Sequence, residues 1–282
     1  MTTTDVTAPA WLIPLLGYRK ATQKQTQVCT QLFGEAHAPN IADASSATST
    51  RIAGVAYKIL GISQTGVADL SKADEPDDDD AEETTRPKRK KSTGVTLEHL
   101  IRDDLAEALV KAAPDRDWKA VCGRRASSYQ QFSHLDALHR LFTDNPALRS
   151  TVGQDYQVQT DVCIGLPHHD GSADLLHAAV SSKWSLRSDR AQNVRHEFAT
   201  LVRNRRGRLP HLVLVTAEPL PTRLLSIARG TGDIDAVYHL LFDEIAKGVE
   251  TSTRQQKSAW AELVGQGRLL PYRALAPTLA HS

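Results

Sequence analysis

Apolar residues first recur at helical spacing in Arg51–Gly61 (RIAGVAYKILG), which reads as a short amphipathic helix. In Thr96–Ala113 (TLEHLIRDDLAEALVKAA), Leu97, Leu100, Ile101, Leu105, Leu109 and Val110 repeat that spacing, and Thr96 stands where an N-cap is expected. Gln130–Asn145 reads as another helix, ending before Pro146 because a residue ahead of proline avoids helical backbone. The period then changes. Tyr156, Val158, Thr160, Val162 and Ile164 alternate with Gln157, Gln159, Asp161 and Cys163, which predicts a strand. His177–Trp184 and Leu212–Thr216 are two further strands. Between them, Ser188 or Asp189 caps a helix carrying Val194, Phe198, Leu201 and Val202 on one face. Pro221–Ala228 and Ile234–Val249 read as helices, and residues 1–40 are weakly patterned. No internal repeat is present. The order strand–strand–helix–strand–helix predicts an α/β fold, a mixed central sheet flanked by helices.

The chain has 282 residues, 40% of them hydrophobic, enough to bury a core in one domain spanning 1–282. Aromatics are only 5%, which argues against a base-stacking surface as the main working part. No stretch approaches the ~18 apolar residues of a membrane span. The apolar patch near the N-terminus has no basic flank ahead of it and makes a poor signal peptide. Cys29, Cys122 and Cys163, odd in number and dispersed, fit reduced thiols in a cytoplasm.

The net charge of +1 conceals an uneven distribution. Eight acids lie in one run, Asp74–Glu83, and without them 34 bases face 25 acids. Five bases follow at once, Arg86, Lys88, Arg89, Lys90 and Lys91, so 66–92 reads as a flexible acidic and basic insert. A second basic zone, Arg187–Arg208, holds seven arginines against Asp189 and Glu197. Clustered arginine suits phosphate and guanine, because the planar fork binds both in bidentate fashion.

Strand alternation puts Ser181 and Lys183 on one face, with Asp161 on the preceding strand. A carboxylate and a lysine on neighbouring strands can meet at one phosphate, the acid holding a divalent cation and the ammonium facing the attacking water. This is the logic of nucleases built on an Asp and an (Asp/Glu)-x-Lys tripeptide, except that Ser181 stands where the acid is expected. Glu197 could supply the second carboxylate from the following helix, about 12 Å past Asp189 at ~1.5 Å per residue. Spacing alone favours a surface helix glutamate paired with Arg195 or solvent. The tetrapeptide Arg187-Ser188-Asp189-Arg190, at a predicted helix N-terminus, can fork onto guanine and accept from cytosine, or simply be a capped helix with two solvent arginines.

The segment LLHAAVSSKWSLRSDRAQNVRHEFATLVRNRRGRLPHLVLVTAEP closely resembles the NgoMIV-type type II restriction endonucleases. The resemblance continues through PTRLLSIARGTGDIDAVYH. Upstream it takes in RDWKAVCGRR, SSYQQFSHLDAL, NPALRSTVGQDYQVQTDV and, more faintly, STGVTLE and DASSATSTRIAG, about residues 43 to 245. It implies a restriction-endonuclease-like PD-(D/E)xK core whose second acid has moved to a helix. It also implies Mg²⁺, two ions per active site, and cleavage of double-stranded GCCGGC after the first G to leave a four-base 5′ extension. By position, Asp161 is similar to the metal-bridging aspartate, Lys183 to the catalytic lysine and Ser181 to the residue replacing the strand acid. Ser182 would lend a backbone carbonyl to the metal, Glu197 would be the migrated acid and Glu98 an additional acid. The residues that read CCGG fall on Arg187, Asp189 and Arg190, and the outer contacts on Asp43 and Arg223 with Ser45 nearby. A palindromic site implies at least a homodimer, and the resemblance implies a tetramer.

Two departures accompany it. Lys91 falls where the family has a minor-groove glutamine, and lysine lacks an acceptor for the guanine amino group. The excursion between Asp161 and Ser181 is short for the family. The competing readings are a CCGG-core DNA-binding protein with different flanking specificity or no cleavage, and a hydrolase or zinc protein built on His168-His169-Asp170.

Overall fold

The computed structural model describes residues 7–64, 93–152, 157–168, 171–229 and 233–282. The insert at 66–92 with Lys91, and Tyr156, His169 and Asp170, lie outside the described residues. A 3-10 turn (Ala10–Leu15) leads into β1 (Tyr18–Lys20), α1 (Gln23–Phe33), β2 (His37–Pro39) and α2 (Ala47–Ile59). Next come α3 (Thr93–Ala112), β3 (Lys119–Arg125), α4 (Ser133–Asp144), α5 (Pro146–Val152), β4 (Gln159–Leu166), β5 (Leu175–Lys183) and α6 (Ser188–Asn204). The remainder is β6 (His211–Thr216), α7 (Pro221–Ala228), β7 (Ala236–His239), α8 (Phe242–Glu250), α9 (Arg254–Gly265), β8 (Leu269–Pro271) and α10 (Leu275–Ala280).

The six strands β3 to β8 form one sheet in sequence order, antiparallel from β3 to β5 and parallel from β5 to β8. Sequence order in a parallel sheet requires a crossover at each step, and α6, α7 and the α8–α9 pair supply them. Helices cover both faces. Leu97, Ile101, Leu105 and Leu109 of α3 pack with Ile52 and Ile245 against Val162, Ile164 and Val180. Val194, Phe198 and Leu201 of α6 pack with Leu224 and Leu263 against Cys163, Ala179 and Leu214. The fold is thus the predicted mixed α/β arrangement. Burial on both faces explains why β5 and β6 read as apolar runs rather than alternating ones. Gly248 of α8 lies against α2 so closely that a Cβ there would meet the Ile52 carbonyl oxygen at 2.5 Å.

Several boundaries differ from expectation. Ile234–Val249 is not one helix: Ala236–His239 is a buried strand, and α8 begins at Phe242. Four buried residues in a parallel strand have no period that separates them from a helical turn. Gln130–Asn145 divides into a 3-10 turn (Gln130–Phe132) and α4. The strand expected from Tyr156 begins at Gln159. Thr96 lies inside α3, which starts at Thr93. Arg187, not Ser188 or Asp189, is the N-cap of α6, and no side chain caps it.

The weakly patterned N-terminal residues have a definite role in the fold. Gln25, fully buried, donates from Nε2 to the Asp43 carbonyl (3.1 Å) and to Thr50 Oγ1 (2.9 Å). Arg19 Nη2 donates to the Ala42 carbonyl and Thr22 Oγ1 to that of Ala44. The loop between β2 and α2 is therefore pinned from below.

Candidate active site

Antiparallel register pairs Val162 with Val180, which sets Asp161 opposite Ser181 where β5 ends. Three donors converge on one oxygen, Asp161 Oδ2: Ser181 Oγ at 3.1 Å, the Ser182 N–H at 2.7 Å and Lys183 Nζ at 2.7 Å. Both side chains of the ion pair are largely shielded, 23% exposed for Lys183 and 17% for Asp161. The alternation expected of β5 therefore delivers Ser181 and Lys183 to the same carboxylate. Ser182 points its hydroxyl the other way, where Oγ is buried with no hydrogen-bond partner among the described residues.

Two more carboxylates feel this pair. Glu98 is on α3, over one face of the sheet, and Glu197 on α6, over the other. Burial, the negative charge of Asp161 and the opposing pull of Lys183 leave each near a pKa of about 7. Glu197 thus belongs with Asp161 rather than with Arg195. Arg195 Nη2 is instead spent on the Ser226, Ile227 and Arg229 carbonyls at the end of α7. Val194 and Phe198 anchor α6 in the core, and Glu197, one position before Phe198, is carried inward with them. Among the described residues, no three His, Cys, Asp or Glu side chains already stand together as a metal-ion cluster. The cation held by Asp161 is the Lys183 ammonium. Of the His168-His169-Asp170 candidate, His169 and Asp170 lie outside the described residues.

From this point the chain turns directly into α6. Arg187 and Asp189 are exposed, and Arg190 Nη1 donates to Ser185 Oγ at 3.2 Å. The exposed Arg205, Arg206 and Arg208 follow beyond the end of the helix.

Asp43, Ser45 and Arg223, distant in sequence, meet. Asp43 Oδ1 accepts from the Ser45 N–H and Oγ, both at 2.8 Å, and Oδ2 accepts from Arg223 Nη2. Burial raises the Asp43 carboxyl, but the Ser45 and Arg223 donors outweigh it and hold it at about 2. Arg223 Nη1 lies 3.5 Å from Glu218 Oε2, and the Glu218 side chain is completely buried. Sequence reasoning did not single out Glu218. An acid directly after an apolar strand carries no signal of which backbone groups it will meet.

Residues 164–270 match the model of the NgoMIV restriction enzyme family. That stretch contains Ser181, Lys183, Arg187, Asp189, Arg190, Glu197 and Arg223, whereas Asp161, Glu98 and Asp43 precede it. The chain is also 44% identical to the type II restriction enzyme NgoMIV of Neisseria gonorrhoeae over 186 residues, 55% of this chain and 65% of that protein. The match therefore spans slightly less than two thirds of the relative's length. The stretch that ends β5 and builds α6, and with it Lys183 and the arginines that follow, is thus similar to the NgoMIV restriction enzyme family.

Proposed function

We propose that the protein is a type II restriction endonuclease, a site-specific deoxyribonuclease that hydrolyses both strands of GCCGGC after the first G and leaves a four-base 5′ extension. The observation that carries this reading is the convergence of Lys183, Ser181 and Ser182 on Asp161, with Glu98 and Glu197 both perturbed by the same carboxylate. The likeness to a type II restriction enzyme supports it.

The donor set is all oxygen and carries three acids, which suits Mg²⁺ rather than a soft metal. Asp161, Glu98 and Glu197, with the Ser182 carbonyl, would hold one or two such ions. The fit is electrostatic. Two glutamates raised to a pKa of about 7, by burial first and by Asp161 second, form an acid cluster that a dication would relieve. When bound, the ion supplies a Lewis acid that lowers the pKa of water and stabilises charge on the leaving oxygen. Lys183 would orient the attacking water and favour its deprotonation, its ammonium compensating charge on the phosphate oxygens. Ser181 tethers Asp161 rather than adding a negative charge, so the acid missing from the strand is replaced by Glu197 on α6. This is the migrated-acid form of the restriction-endonuclease-like core.

Arg187 and Arg190 would read guanine and Asp189 cytosine from the N-terminus of α6, with Asp43 and Arg223 at the outer pairs and Ser45 fixing Asp43. Lys91 would approach the minor groove. Arg205, Arg206 and Arg208, all exposed, would contribute salt-dependent affinity to phosphates rather than sequence choice. A palindrome read this way requires a homodimer, and the family reading extends to a tetramer. No described helix is long and apolar enough to cross a membrane.

The test is digestion of a sequenced plasmid with Mg²⁺, followed by run-off sequencing of the ends. Breaks confined to GCCGGC, staggered by four bases, support the reading. Intact plasmid bound at GCCGGC would leave a DNA-binding protein without nuclease activity, and indiscriminate breaks would remove the assigned specificity.

A further inference from the structure

We propose that Glu218 is a positioning residue that ties the inner-base and outer-base readers to one another, so that base choice at both sets of positions depends on a single buried carboxylate. The inference rests on the function proposed above. Its basis is where the two oxygens go. Glu218 Oε2 accepts from the Leu186 N–H at 2.7 Å, the residue just before Arg187 and the start of α6. Oε1 accepts from the Leu220 N–H at 3.0 Å, the N-cap residue of α7, on which Arg223 occupies the first turn. Oε2 also lies 3.5 Å from Arg223 Nη1, and the other guanidinium nitrogen binds Asp43. One side chain with no solvent exposure thus touches the entry to the helix bearing Arg187, Asp189 and Arg190, the entry to the helix bearing Arg223, and Arg223 itself.

The strand behind it makes the anchor firm. The Glu218 N–H donates to Thr216 Oγ1 at 3.2 Å, and its carbonyl accepts from His239 Nε2 at 3.0 Å, while His239 Nδ1 accepts from the Leu241 N–H. The carboxylate is therefore carried on the ends of β6 and β7, in the middle of the sheet. None of its contacts reaches Asp161 or Lys183 among the described residues, so its effect is expected in selection of sequence more than in hydrolysis.

Glu218→Gln isolates this role. The Leu186 and Leu220 N–H groups meet different carboxylate oxygens, and an amide in the same pose keeps only one of those acceptors, so its NH₂ would face the other donor. The full-length protein and the variant are each used to select bound duplexes from a library randomised over six consecutive base pairs, and the recovered base preferences are compared. Thermal unfolding checks that the variant is folded. Glu218→Asp, which keeps the charge opposite Arg223 but shortens the reach, serves if the glutamine variant does not fold. The expected result is loss of at least about fivefold in preference at both the inner and the outer positions. Arg223→Ala should affect the outer positions alone. A uniform loss of affinity with an unchanged preference profile, or a loss confined to one set of positions, overturns the proposal. If the unaltered protein selects no sequence, the proposed function fails first and this inference falls with it. If it selects a different six-base sequence, the site assignment changes while the role of Glu218 is still tested.

Discussion

Glu197→Gln should stabilise the metal-free protein at alkaline pH while removing cleavage. The carboxyl is driven from an ordinary 4.5 to about 7 by burial first and by Asp161 second, against the pull of Lys183. Between those two values the folded chain holds a proton that the unfolded chain releases. Stability from this group is therefore fully present below pH 4.5 and is lost as the pH rises through about 7. At about 1.4 kcal/mol per pH unit, the full cost of ionising it in the fold is about 3 kcal/mol. Glutamine resembles the protonated acid in shape and carries no charge, so it escapes that cost. The assay is urea unfolding in EDTA at pH 5 and pH 8, with plasmid cleavage in Mg²⁺ measured alongside. Glu98 imposes the same trend, and His177 and His239 oppose it, but these cancel in the difference between variant and parent. The variant should gain about 2–3 kcal/mol at pH 8, little at pH 5, and cut no DNA. An equal change at both pH values, or a variant less stable than its parent at pH 8, would show that Glu197 is not lodged against Asp161 as described.

Lys183→Ala should abolish Mg²⁺-dependent cleavage and leave duplex binding in a gel-shift assay intact; persistent cutting would remove the lysine from the mechanism. Arg187→Ala should weaken discrimination against a changed inner base pair by about 1–3 kcal/mol, roughly five- to a hundredfold in relative cleavage rate, with no effect on that ratio refuting base contact. His239 and His177 are buried, and burial lowers both to about 4 from 6.5. The unfolded chain takes up protons that the folded one refuses as the pH falls through that window, so each histidine withdraws up to about 3 kcal/mol by pH 4. Relative to wild type, His239→Gln should gain stability from pH 7 to pH 4 in unfolding titrations, and a flat difference would mean that His239 is protonated in the fold.

The middle of the fold was legible because its residues obey a period. Ala178 to Lys183, the α6 stripe of Val194, Phe198 and Leu201, and Leu212 to Thr216 each occupy the element expected. The edges were not. β3 is a strand of mixed composition with no fully buried residue, paired on one side, and β7 and β8 are too short to show a period. The polar–apolar phase of β5 put Lys183 on the Ser181 face, but nothing in spacing turned Glu197 inward, because a position beside a buried phenylalanine is compatible with core edge or solvent. Asp43 and Arg223 lie 180 residues apart, and only tertiary packing joins them. Resemblance supplied those assignments; the α1 scaffold that makes them possible, with Gln25 beneath Asp43, left no mark in the pattern.

The chain runs from Lys183 to Arg190 without interruption, a strand end flowing straight into a helix start. On the proposed reading, the cutting tool and the inner part of the reading head are one continuous piece of backbone. Insertions or deletions there would misalign the scissile bond along with the bases, so this stretch tolerates change of side chain but not of length. The outer readers hang on separate supports, a loop near the N-terminus and a later helix. A lineage diversifying its target, or an engineer retuning it, has freedom at the flanks of the hexamer and very little at its heart.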